Sequence, residues 1–285
     1  MTTYAVTGAS GHIGRLAIES LLEAGVAPAD LVAIARTPAT LGDLAARGID
    51  VRGADYAQPD TLPGALAGVE RLLLVSGELG GQRVAQHGNV IDAAKAAGVT
   101  RIAYTSILRA DTNQIALAPD HKATELLLAA SGLEHIALRN GWYIENYTDQ
   151  LSQYLAQGEI VAAAGDARVS GATRADYAAA ATVVLTADGH GDAVYELGGT
   201  PFTLNDLAAQ VTEVTGTKVA YRSVTVAELV AILEAVGLDR PRAEFVAAVD
   251  EGVARGDVYT DSDDLARLIG RPSTPLVNAI RTAVR

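Results

Sequence analysis

The sequence predicts an α/β fold built on a doubly wound parallel sheet, with a smaller lobe at its C-terminal end. Three observations lead there. Short apolar runs recur with helical stretches between them. Those runs are continuous rather than alternating, as strands covered on both faces require. The first of them closes on a glycine-rich turn that opens into a helix.

Taken in order, Tyr4-Ala5-Val6-Thr7 is the first short strand, and Gly8 to Gly14 turns it into a helix running to about Gly25. Leu31-Val32-Ala33-Ile34-Ala35 is the second strand, followed by a helical stretch over Leu41 to Arg47. Strands are then expected around Ile49 to Val51, Arg71 to Val75, Arg101 to Tyr104 and His135 to Leu138. The helix from about Gln82 to Ala97 should end on Gly98, and that from about Pro119 to Ala130 near Gly132, since glycine suits a left-handed cap. Residues 1–140 form the expected dinucleotide-binding unit.

Beyond Gly141 the pattern loosens, and residues 141–285 read as a smaller mixed α/β lobe, parts of which return to the main sheet. Helices are expected around Tyr147–Gln157, Arg174–Ala187, Leu204–Thr215, Val226–Val236 and Ala243–Ala254. Strand-like pieces lie at Ala193–Leu197 and Val219–Arg222. Asp261 to Asp264 supplies cap and acidic first-turn residues for one more short helix before Gly270.

Composition narrows the function. A net charge of -12, with no basic stripe, argues against nucleic acid, because a phosphate backbone would be repelled. No window reaches the length of apolar sequence that a membrane helix needs. The N-terminus enters a strand without a charged leader, so a cytoplasmic protein is expected, free of membrane contact. Zero cysteines suit a reducing compartment and exclude a thiolate nucleophile or cysteine-ligated metal. The histidines have no metal-ligand spacing, and no metal is expected.

Gly8-Ala9-Ser10-Gly11-His12-Ile13-Gly14 lies between strand and helix, the context in which a glycine pattern has meaning. Gly8 makes the tight turn, Gly11 leaves room for a pyrophosphate against backbone N–H groups, and Gly14 lets helix and strand pack closely. The residue after the second strand sits beside the adenosine ribose. It is Arg36, not the carboxylate that would bind a free 2′-hydroxyl, and a guanidinium matches a 2′-phosphate. NADP(H) is therefore the expected cofactor. Two further strand ends should line the same crevice: Ser76-Gly77-Glu78, and Asn140-Gly141-Trp142-Tyr143. Asp55, after the third strand, either approaches the adenine or serves as a loop carboxylate.

With these motifs, together with Tyr104-Thr105-Ser106 and Ala172-Thr173-Arg174-Ala175-Asp176-Tyr177, the chain resembles the NmrA-like atypical short-chain dehydrogenases. It is most similar to their NADPH-dependent quinone oxidoreductase branch. The resemblance runs over nearly the whole chain. It implies that Gly8, Ala9, Ser10, Gly11, His12, Ile13, Arg36, the Ser76–Gly77–Glu78 loop and Asn140 to Tyr143 contact NADPH, with Arg174 close by. It also implies a flavin-free hydride transfer to a small-molecule quinone, held in the cleft against the smaller lobe.

The usual chemistry of short-chain dehydrogenases is missing. None of the ten tyrosines has a lysine four residues later, so the tyrosine acid of a conventional alcohol dehydrogenase has no counterpart. A quinone needs it least, because hydride transfer yields a resonance-stabilised hydroquinone anion, whereas a simple ketone develops an alkoxide. The protein then supplies proximity and a flat apolar slot, for which Trp142 and Tyr143 offer stacking surface, packing between lobes being their other use. His121 or Lys122 could polarise a substrate oxygen or could be ordinary surface residues, and no catalytic residue is assigned. Two rival readings are an NADP(H) sensor without catalysis and a reductase of another conjugated carbonyl. Monomer and homodimer are both compatible with the sequence.

Overall fold

Where each apolar run stops, a glycine, a proline or a polar pair follows, and those stops set the layout of the chain. The computed structural model describes residues 2–77 and 81–284. The nucleotide-binding part runs β1 (Tyr4–Val6), α1 (His12–Glu23), β2 (Leu31–Ala35), α2 (Gly42–Ala46), β3 (Asp50–Gly53), α3 (Leu62–Leu66), β4 (Arg71–Leu74), α4 (Arg83–Ala97), β5 (Arg101–Ile107), α5 (Ala118–Ser131) and β6 (Glu134–Asn140). There follow α6 (Glu145–Thr148), α7 (Leu151–Gln157), β7 (Glu159–Ala162), α8 (Arg174–Thr186), β8 (Val194–Leu197), α9 (Leu204–Thr215), β9 (Ala220–Ser223), α10 (Val226–Ala235), α11 (Arg240–Arg255), α12 (Asp264–Ile269) and α13 (Leu276–Ala283).

The doubly wound fold forms as expected. Seven strands pair in parallel in the order β3-β2-β1-β4-β5-β6-β8. The chain leaves β1 toward β2 on one side and reaches β4 on the other, which opens a crevice between the two at their carboxyl ends. Successive residues of each strand serve opposite cores. Val6, Ala33 and Leu73 pack with Ile18 and Leu21 of α1, Leu44 of α2 and Tyr177 and Val184 of α8. Ala5, Val32, Leu72 and Leu74 pack with Leu66 of α3, Val90 of α4 and Leu128 of α5. With both faces filled, neither face of a central strand can be polar, and this produces the continuous apolar runs of the sequence.

A third core joins α7, α9, α13 and β7 around Leu151, Tyr154, Ile160, Leu207 and Val211, with Trp142 and Tyr147 packed against it. The helix expected over Tyr147–Gln157 is two, α6 and α7, separated at Asp149–Gln150. The strand β7 was not expected, and it pairs in parallel with β9 as a separate two-stranded sheet. The helix α11 starts at Arg240, earlier than its apolar pattern suggests, because the Asp239 side chain accepts from the Arg242 N–H and caps it.

The Thr173-Arg174-Ala175-Asp176 stretch has a structural basis. Thr173 caps α8, and the fully buried Asp176 accepts from the Thr173 hydroxyl, the Thr274 N–H and hydroxyl, and the Arg271 guanidinium at 2.8 Å. One carboxylate thereby ties the last 15 residues of the chain to the helix that packs on α1.

Candidate functional site

The cleft is assembled from turns beyond the carboxyl ends of β1, β2, β3 and β4 with the start of α4. Asn140, Gly141, Trp142, Tyr143 and Arg174, beyond β6, form a second cluster that is not part of its lining. Beyond β1 the backbone turns at Gly8, whose φ of +59° favours glycine. Gly14 is forced by contact: a Cβ there would lie 2.3 Å from the Gly8 carbonyl oxygen. Gly11 is different, since it has ordinary φ, and an added Cβ would point past the Gly8 oxygen at 3.3 Å. Its N–H is used inside the turn, donating to Gly8 O. The acceptor-seeking N–H groups for an anion are therefore those of the first turn of α1, which no side chain caps. The helices α8, α9, α10 and α11, by contrast, each carry a capping side chain.

A cleft of about 410 Å³ opens beside this turn, lined by Gly8, Ser10, Gly11, Arg36, Asp55, Tyr56, Ser76, Gly77 and Arg83, among others. Ser10, Gly11 and His12 open on an adjoining hollow with Arg15. Ala9 is buried in the first core and Ile13 packs against it, so their side chains serve packing. Arg36 is exposed at the end of β2, close enough for its charge to act on the Tyr56 phenol. Burial is the larger influence and raises the pKa of that phenol. Asp55 lines the cleft but its carboxylate closes a local turn, accepting from the Ala57 N–H at 2.9 Å. Glu78 lies outside the described residues.

At the end of β6 a second cluster gathers. A Cβ on Gly141 would meet the Ser170 oxygen at 2.8 Å and the Tyr177 hydroxyl at 3.0 Å, which requires glycine. Trp142 and Tyr143 turn to opposite sides. Trp142 is half-buried against the smaller lobe's core. Tyr143 is held between the edge of Tyr177, at 5.5 Å, and the Arg174 guanidinium, 5.3 Å from its ring centre. Burial raises the Tyr143 pKa, with the neighbouring Asn140 side chain opposing. The expected stacking surface is thus engaged within the protein at both rings, Tyr143 between Tyr177 and Arg174 and Trp142 against the core that holds Leu151 and Leu207. Arg174 contacts Tyr143 and Asp149, and its N–H donates to Glu145. Asn140 is 5 % exposed, and its Oδ1 has no hydrogen bond among the described residues.

His121 and Lys122 take different positions. His121 is turned inward, with Nδ1 2.7 Å from the Tyr104 hydroxyl, and burial, aided by the Arg83 charge, pushes it down to about 3. A neutral imidazole bonded to a buried phenol is a poor proton donor to substrate. Lys122 is exposed.

These residues fit NADP(H): a glycine turn that a Cβ would fill, an uncapped helix start for the pyrophosphate, a cation at the end of β2, and a buried amide oxygen awaiting a donor. Sequence reasoning missed Tyr56 and Arg83. Tyr56 lies one residue beyond Asp55 in the same strand-end loop, which was the available signal. Among the described residues no group of three or more His, Asp or Glu side chains could hold a metal ion, and no helix is long and apolar enough to cross a membrane.

Comparison with known proteins agrees with this geometry. Residues 8–188 match the family described as NAD(P)H-binding. The chain is 48% identical to quinone oxidoreductase 2 of Escherichia coli strain K12 over 277 residues, 97% of this chain and 96% of that protein. The crystal structure of an Escherichia coli NADPH-dependent quinone oxidoreductase complexed with NADPH superposes with a TM-score of 0.95 at 46% identity, covering 99% of this chain and 100% of the other. The triphenylmethane reductase of Citrobacter sp., complexed with NADP(H), gives 0.92 at 37% identity, covering 99% of each chain.

Proposed function

This chain belongs to the NAD(P)H-binding family, and on that premise we propose that it passes a hydride from NADPH directly to a quinone, without flavin or metal. The observation that carries the reading is Arg36 at the mouth of a nucleotide cleft, in a chain matched nearly end to end by a quinone oxidoreductase.

Bound in the crevice, NADPH supplies the hydride from its nicotinamide ring. The protein's own residues bind and orient. The turn from Gly8 to Ile13 and the uncapped start of α1 receive the pyrophosphate, and Arg36 receives the 2′-phosphate. Ser76, Gly77 and the Asn140 to Tyr143 segment form the far wall. Arg174 acts through Tyr143, whose ring it covers. Trp142 offers a flat face to the quinone, between the nucleotide-binding unit of residues 1–140 and the lobe of residues 141–285.

No side chain need act as a strong acid, because the hydroquinone anion is stabilised by its own ring and is protonated by solvent. The inward bond of His121 and the exposure of Lys122 suit this account. The reading places the enzyme in the cytoplasm, in keeping with a chain that has no cysteine.

The test is to mix protein, NADPH and a simple quinone and to follow the absorbance of reduced nicotinamide. Protein-dependent loss of that absorbance, faster with NADPH than with NADH, is expected. Consumption no faster than in protein-free buffer would overturn the proposal.

A further inference from the structure

Beyond Leu74 the fourth strand leaves the sheet, and its next three residues lose the pairing that a strand would give them. Side chains from elsewhere replace it. The Val75 N–H donates to the Thr7 hydroxyl at 3.0 Å, and the Val75 carbonyl accepts from the Tyr56 hydroxyl at 3.0 Å. The Ser76 N–H donates to the Thr105 hydroxyl at 2.8 Å. Both polar groups of Gly77 are held by α4: its N–H donates to His87 Nε2 at 3.0 Å, and its carbonyl accepts from Arg83 Nε at 3.0 Å. Val75, Ser76 and Gly77 all line the cofactor cleft.

The His87 contact is selective for one form of the ring. A backbone N–H cannot accept, so Nε2 must be bare and the proton must sit on Nδ1. Nδ1 in turn lies 2.9 Å from the Thr124 hydroxyl, which donates onward to the Asp120 carbonyl at 2.8 Å. Every partner is satisfied by the neutral ring, and an imidazolium would set two N–H groups against each other at 3.0 Å. The ring is wholly buried, with the edges of Tyr56 and Tyr104 against it. Burial, with the nearby Arg83 charge, pushes it down to about 4.

We propose that His87 is a positioning residue for the cofactor: as the neutral Nδ1-protonated ring it fixes the Gly77 N–H, while Arg83 holds the Gly77 carbonyl, in the orientation against which NADP(H) binds. The inference rests on the reading of the cleft as the NADP(H) site. A glycine beyond a strand end has the widest backbone freedom of any residue, and without the clamp it samples orientations that do not match the ligand. Preorganisation by α4 removes that cost before the cofactor arrives.

Two variants separate acceptor from bulk. His87→Phe keeps a ring and removes the acceptor, whereas His87→Gln keeps an acceptor of similar reach. With NADP+ as the probe in titration calorimetry, His87→Phe should bind about tenfold more weakly than the parent, the equivalent of one lost hydrogen bond. His87→Gln should recover most of that loss, which a role in packing alone would not allow. Amide exchange in the cofactor-free parent protein needs no variant: the Gly77 N–H should be protected like its neighbours in β4. Binding by folded His87→Phe within about threefold of the parent would overturn the inference, as would free exchange at Gly77 in the parent. Failure of the parent protein itself to bind NADP+ would instead overturn the cofactor reading on which the inference stands.

Discussion

Single atoms decide the character of this cleft. Arg36 follows β2, where an adenosine ribose is expected, and a guanidinium there matches a 2′-phosphate in charge and geometry. Arg36→Ala should therefore weaken NADPH by about 10- to 100-fold, the range for losing a charge-assisted contact. NADH should shift by no more than about threefold, since it lacks the group. Parallel titrations with the two cofactors check this, and equal weakening would remove Arg36 from the specificity. The three glycines of the turn should also part company. Gly14→Val places carbon 2.3 Å from a backbone oxygen and should lower thermal stability or prevent folding. At Gly11 the neighbour must yield by only a few tenths of an ångström, so Gly11→Val should fold and lose NADP+ binding, as circular dichroism and calorimetry on the same sample would establish. A folded Gly11→Val that binds normally would move the phosphate site elsewhere.

Whole elements show how far the sequence could be read. The first six strands and their helices were legible because each strand, covered on both faces, had to be apolar throughout, and because Gly98 and Gly132 mark helix ends with φ near +80°. The smaller lobe was less so: β7 is four residues long, pairs only with β9, and leaves Glu-Ile-Val-Ala too short to show a period. The break between α6 and α7 has no glycine or proline to announce it. At the site Arg36 could be found by its spacing, but Arg83 and His87 could not, because their work is to bond the backbone of Gly77 from another element. The buried imidazoles of His87 on α4 and His121 on α5 make the stability depend on pH. His87, at about 4, and His121, at about 3, are both neutral when folded and titrate near 6.5 when unfolded. The unfolded chain thus binds more protons, and the stability present above pH 6.5 is lost as pH falls toward 4. Between pH 7 and pH 5 the two rings should cost roughly 2 kcal/mol each, from their shifts at about 1.4 kcal/mol per pH unit. Urea denaturation at the two pH values tests this: His87→Gln should reduce the loss, and equal stability of the parent at both would contradict it.

Across the whole molecule, the proposed function has the smaller lobe and the nucleotide-binding sheet held in register. Asp176 is the clearest tie, a fully buried carboxylate joining α8 to the segment around Arg271 and Thr274. Because Arg271 is half exposed, its charge can return to water, and Asp176→Ala should cost about 3 kcal/mol, the low end for breaking a buried pair. A melting temperature unchanged from the parent would show the tie to be dispensable. On the proposed function, the assembled crevice brings nicotinamide and quinone together for direct hydride transfer. The most direct test is a single turnover with NADPH deuterated at one or the other C4 position, in protein freed of flavin and treated with a chelator. Quinone reduction that is slowed by deuterium at one C4 face, carries on without added flavin or metal, and falls away with NADH is the expected result. Turnover that demands added flavin, or NADPH that binds and is never oxidised by any quinone, would contradict it.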